Sequence, residues 1–89
     1  MLYEFVVKLP MSLSKKEAEK RLPDAEAYAA SITQNAPKGL YLRQRTDEWE
    51  AVALVEADLT PPPPTRSAQG ALTHVVREAP VNAEPHLLR

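Results

Sequence analysis

Residues 2–9 place an apolar side chain at every odd position, Tyr3, Phe5, Val7 and Leu9. The even positions Leu2, Glu4, Val6 and Lys8 alternate apolar with charged. Successive side chains of a strand point to opposite faces. The pattern therefore predicts a β-strand with one face on a core and a second face carrying an acid and a base on an apolar ground. Pro10 closes it. Ser14 and Glu17 then stand at capping-box spacing, and Ala18, Leu22, Ala25, Ala29 and Ile32 recur at helical steps of four and three. This predicts a helix over 14–34. A kink is expected near Leu22–Pro23, because proline lacks an amide donor and clashes with the preceding turn. The stretch 35–39, with Pro37 and Gly39, ends the helix.

Residues 40–45 predict a strand, with Leu40 and Leu42 on one face and Tyr41, Arg43 and Arg45 on the other. A polar turn at 46–48 leads to a second strand over 49–58, so the two form an antiparallel hairpin. Trp49, Ala51, Ala53, Val55 and Ala57 share one face, and the alanines leave room for a helix to approach. Pro61–Pro64 favours polyproline II and cannot join a central strand, so it reads as a stiff spacer. Ser67 is a helix cap, and Ala68, Ala71, Leu72, Val75, Val76 and Ala79 follow at amphipathic helical spacing up to Pro80. The last stretch, 81–89, reads as a tail or a short edge strand around His86–Leu88.

Strand, helix, strand, strand, helix and a final short strand make an α+β chain of the ferredoxin-like βαββα(β) plan, an antiparallel sheet with helices on one face. Its 89 residues form one domain. The parts are a βαββ core at 1–60, a proline-rich connection at 61–66, a second helix at 67–80 and the tail at 81–89. Stability at this size is modest, and oligomerisation is a common remedy.

Charge and composition narrow the classes. Eleven basic residues against twelve acidic ones give a formal charge of −1, too little field to steer a polyanion, so nucleic acid is not an expected partner. There is no cysteine, which excludes disulfides and thiolate metal sites. No apolar run reaches the ~18 residues of a membrane span, and the opening residues lack a secretory pattern. A cytoplasmic protein that does not enter membranes is expected. With only Gly39 and Gly70, a glycine-rich nucleotide loop cannot be built.

The opening segment 1–10, ending Val7-Lys8-Leu9-Pro10, resembles the first strand of muconolactone isomerase-like proteins, which also closes on Val-Lys-Leu-Pro. A helix, a hairpin of about twenty residues and a helix starting near Ala71-Leu72 would follow in that family's order. The resemblance implies a dimeric α+β barrel, homo-oligomers, and a ligand cavity between sheet and helices. It also implies a cofactor-free proton shift on an unsaturated lactone. The tetraproline, the short tail and the aromatic-poor hairpin depart from the family.

Such a proton shift needs a base whose pKa lies near the working pH and a group that stabilises the enolate. Glu4 and Lys8, one face of one strand, are the candidates, against the plainer reading of an interface-facing pair. Tyr41 and Arg43 are candidates for substrate contact. Alternatively, they form a polar sheet face, or, with Arg45, a surface for single-stranded nucleic acid. Trp49 offers a stacking wall or simply core. His74 is a natural base, although helical phase would place it with Arg77 and Glu78 on the surface. His74 and His86 have no third ligand at suitable spacing, so no metal is expected. Pro61–Arg66 also fits a PxxPxR ligand of aromatic-grooved domains. Two functions follow. One is a small cofactor-independent isomerase or ligand binder. The other is a non-enzymatic interaction module, an accessory subunit or inhibitor that binds through its open sheet face and proline-rich tail.

Overall fold

A computed structural model describes residues 1–80. Their elements are β1 (Leu2–Pro10), α1 (Lys15–Glu19), α2 (Leu22–Ile32), β2 (Gly39–Gln44), β3 (Glu48–Glu56), β4 (Thr65–Arg66) and β5 (Leu72–Glu78). The strands form one antiparallel sheet in the order β2-β3-β1-β5-β4. The fold is α+β. With β3 inserted between β1 and β2, its sheet is compatible with the ferredoxin-like class.

β1 is the spine. It pairs with β3 along its whole length, from Leu2–Glu56 to Pro10–Glu48, and on its other side with β5, from Tyr3–Glu78 to Val7–His74. Tyr3, Phe5, Val7 and Leu9 bury against Trp49, Ala51, Ala53 and Val55 of β3 and against Ala18, Ala25 and Ala29 of the helices. The alternation in β1 and β3 predicts this face correctly. Ala25 and Ala29 lie in one cluster with Ala51 and Ala53, so small residues from helix and sheet make up the centre of this layer.

The helical segment is divided. Ser14 caps α1 with the predicted reciprocal bonds to Glu17. The chain breaks at Lys20–Arg21, and α2 starts afresh with Pro23 in its first turn. There proline's missing amide costs nothing, because the first amides of a helix have no partner anyway.

Beyond the hairpin the structure departs from the sequence reading. The predicted helix over 67–80 is absent. Ser67–Ala71 form a turn, in which the Gly70 amide bonds to the Ser67 carbonyl and Gly70 takes φ +86°. Leu72–Glu78 then run as β5. The apolar positions fit a helical stripe, but Thr73, Val75 and Val76 are β-branched and stiff, which suits a strand. The second edge of β1 supplies the hydrogen-bonding partner that a helix would have forgone. The segment read as a spacer, 61–66, ends in the two-residue strand β4. The expected tail or edge strand, with His86, lies outside the described residues.

Candidate functional site

The second sheet face, which α1 and α2 do not cover, carries Glu4, Val6 and Lys8 of β1, Tyr41 and Arg43 of β2, Glu50, Val52 and Leu54 of β3, and Val75 and Arg77 of β5. The registers bring these residues together. Val6 lies between Val52 and Val75, while Glu4 sits beside Arg77, and Glu50 sits between Lys8 and Arg43. Of the residues singled out from the sequence, Glu4, Lys8, Tyr41 and Arg43 therefore share one site.

Two carboxylates and two guanidinium groups close a ring there. Arg43 donates to both Glu4 oxygens, at 2.7 and 3.2 Å, and through Nε to Glu50 at 2.9 Å. Arg77 donates to the same two acids, at 3.1 Å to Glu4 and 2.9 Å to Glu50. Glu4 and Glu50 belong to rungs on either side of the Val6–Val52 pair. Both guanidinium groups must therefore span that rung, and Val6 and Val52 are fully buried. Tyr41 adds a hydroxyl donor to Glu4 at 2.9 Å, Arg45 contributes Nε to Glu50 at 3.3 Å, and Lys8 bridges Glu48 and Glu50 at 2.7 Å each.

Glu4 and Glu50 are 1% and 0% exposed, among the most buried groups in the chain. Burial alone would raise their pKa values. For Glu4, the hydrogen bonds from Arg43, Tyr41 and Arg77 outweigh burial and hold the carboxyl below its ordinary range. For Glu50, Lys8, Arg77 and Arg43 lower it to about 2. Burial would lower the Lys8 ammonium, but Glu48 and Glu50 raise it above its usual value. Burial and the neighbouring Glu4 push the Tyr41 phenol upward. A proton-transfer group needs a pKa near the working pH, and every one of these shifts moves away from neutrality. Among the described residues no buried side-chain nitrogen or oxygen lacks a partner. Each buried polar group of the cluster is thus paired within the chain.

The other two candidates lie on the helix side. Trp49 is a core residue whose indole N–H bonds to the Leu13 carbonyl at 3.0 Å. His74 is not on a helix surface but on β5, opposite Val7 and Thr65. Its ring meets Tyr28 of α2 edge to face at 4.8 Å, and its Nδ1 lies 2.9 Å from the Thr73 hydroxyl.

Between α2 and β5 runs an open groove of about 570 Å³, bordered by Arg21, Asp24, Tyr28, Ser31, Thr73 and His74 with Val7 among its apolar lining. In a two-helix version of this fold, the second helix would cover this side of β5. Here the described chain between β3 and β5 holds no helix, only a proline run and the two-residue β4. Lys8 also borders the groove, although its ammonium is engaged by Glu48 and Glu50. Burial raises the Tyr28 phenol. No cluster of three metal-ligating side chains occurs among the described residues.

Glu50 and Arg77, which the sequence reading did not single out for the site, complete the ring. Glu50 was legible, since alternation in β3 places it on the face of Val52 and Leu54. Arg77 was not, because its segment carries a helical apolar spacing. Tyr28 is a groove residue for which the sequence offered no signal.

This sheet and its helix layer define a small α+β protein with a ferredoxin-like strand order. The chain matches no protein-family model, and no curated protein or solved structure matches it either. No helix among the described residues is long and apolar enough to cross a membrane.

Proposed function

We propose that this chain binds a small organic molecule in the groove between α2 and β5, with His74 as the group that exchanges a proton with it. The observation that carries the reading is the position of His74. It lies in a concavity beside an aromatic wall, Tyr28, and a hydroxyl, Thr73. Imidazole is the side chain type suited to proton exchange near neutral pH. The acid–base role expected of Glu4 and Lys8 gains no support, since their shifts run away from neutrality. An unsaturated lactone, the substrate class implied by the resemblance of residues 1–10, is the compound to try first, and no cofactor enters the proposal. A homo-oligomer of cytoplasmic location, built as a dimeric α+β barrel, belongs to the same reading. Titration with muconolactone, followed by amide and aromatic NMR shifts, tests it. Shifts concentrated on Tyr28, Thr73 and His74, and lost in His74→Ala, are expected. Shifts centred on Glu4 and Arg43, or none, would sink it.

A second reading rests on a separate observation. Pro61, Pro63 and Pro64 are exposed, and the run is pinned at both ends. The Tyr3 hydroxyl bonds to the Leu59 carbonyl at 2.9 Å, and Thr65–Arg66 pair with β5. A pre-ordered polyproline segment is what aromatic-grooved domains read, which favours the interaction-module alternative. Titration of a purified SH3 domain that prefers PxxPxR ligands tests it, with Pro64→Ala as the control that must weaken binding.

A further inference from the structure

We infer that β2 pairs with the β2 of a second copy of this chain, in antiparallel register centred on Leu42, to join two sheets edge to edge. This inference stands independently of the groove, and its edge-to-edge dimer is an alternative to the face-to-face barrel that the resemblance of residues 1–10 implies.

Among the described residues β2 has one neighbour, β3, and lies at the end of the sheet. The Arg45 amide bonds to the Glu48 carbonyl. In an antiparallel ladder, hydrogen-bonded and non-bonded pairs alternate. The pairs Arg43–Glu50 and Tyr41–Val52 are therefore the bonded ones, while Leu40, Leu42 and Gln44 direct their N–H and C=O groups outward. A six-residue strand with a row of unmet backbone groups, and no proline or lysine inside it, is a template for another strand.

The self-pairing has one favoured register. Residues across an antiparallel pair must share a face, and here the outward-bonding residues must oppose one another. Centring the two-fold on Leu42 meets both conditions, pairing Leu42 with its copy and Leu40 with Gln44 of the copy. All three outward residues of each chain are then used. Tyr41 comes to lie opposite Arg43 of the copy in a close, non-bonded pair, a cation and an aromatic ring. The same chemistry already joins Arg43 to Tyr41 within one chain at 5.6 Å. Gly39 opposes Arg45, and Lys38 opposes Thr46, so no like charges stand directly opposite one another, and the two Arg43 side chains meet only diagonally. Centring on Gln44 instead sets Arg43 against Arg45. Centring on Leu40 pairs fewer residues. Leu40 and Leu42, both only partly buried, gain cover from their counterparts in the favoured register.

The test uses two kinds of variant of the full chain. In Leu42→Cys, the two thiols would sit on directly paired residues with Cα atoms about 5.5 Å apart, within the roughly 4.4–6.8 Å that a disulfide spans. Mild oxidation should convert most of this variant to covalent dimer. Leu40→Cys, whose partner is Gln44, should stay largely monomeric on the same denaturing gel. In Leu42→Pro, the lost amide is one that faces away from β3. The sheet should survive by circular dichroism, while sedimentation velocity of the wild type and variant shows a dimer reduced to monomer. Equal crosslinking by Leu40→Cys and Leu42→Cys would overturn the inference, as would a wild-type monomer throughout a dilution series. A dimer that Leu42→Pro leaves intact would also overturn it and point to face-to-face packing.

Discussion

Arg43 and Arg77 stand on strands at opposite sides of the central β1–β3 pair, yet they hold the same two carboxylates, Glu4 and Glu50. The sheet thereby gains a polar clasp across its four longest strands, laid over buried valines. Its energetic sign depends on completeness. Removing one partner of a buried ion pair exposes the desolvation cost of the other.

Arg77→Ala should therefore cost about 3 kcal/mol of unfolding free energy, read as a lower urea midpoint at unchanged slope. Glu4 and Glu50 would each keep other donors, so Arg77→Ala should destabilise less than Arg43→Ala, which removes three hydrogen bonds rather than two. Equal stability of wild type and both variants would show the ring to be energetically idle.

The clasp also sets an acid limit. Glu4 and Glu50 have folded-state pKa values below their unfolded ones, Glu50 falling from 4.5 to about 2. The stabilisation is complete above the unfolded value and is lost as pH falls toward the folded one. Melting temperature should hold above about pH 5 and decline between about pH 4.5 and 2. Glu50→Gln should flatten that decline at the expense of stability at neutral pH. The Lys8 value is raised, so its contribution is complete below 10.5 and fades as pH climbs through the folded value.

The helix layer tolerates little added volume. Ala29 is 1% exposed in the cluster with Ala51 and Ala53. Ala29→Leu should destabilise by about 1–3 kcal/mol through overpacking, while the same change at Ala30, an exposed neighbour on α2, should be nearly neutral. Thermal melts of the two variants make the comparison.

The turn before β5 depends on backbone freedom rather than space. A Cβ at Gly70 would meet nothing within 4 Å, but φ is +86°. Gly70→Ala should cost about 1–2 kcal/mol from left-handed strain alone. Faster hydrogen exchange along β4 and β5, with β1–β3 amides unchanged, would locate the effect.

Local pattern was enough for β1, the Ser14 cap and the β2–β3 hairpin, where hydrophobic period, capping and turn residues agree. It read α1 and α2 as one kinked helix, and it counted Ile32 in a buried stripe although that side chain is exposed. The alternation in the strands put Glu4 with Lys8 on one face of β1 and Tyr41 with Arg43 on one face of β2; only the registers through β3 joined the two pairs. Local pattern misled at residues 72–78, where the spacing of Leu72, Val75, Val76 and Ala79 predicts a helix and the chain forms a strand. That choice fell to β1, whose second edge offered Tyr3–Val7 as a ladder. It carried Arg77 into the ring and His74 to the groove. Periodicity is written along a single element, but hydrogen bonding between strands is a long-range interaction, and only the assembled sheet shows which edge awaits a partner.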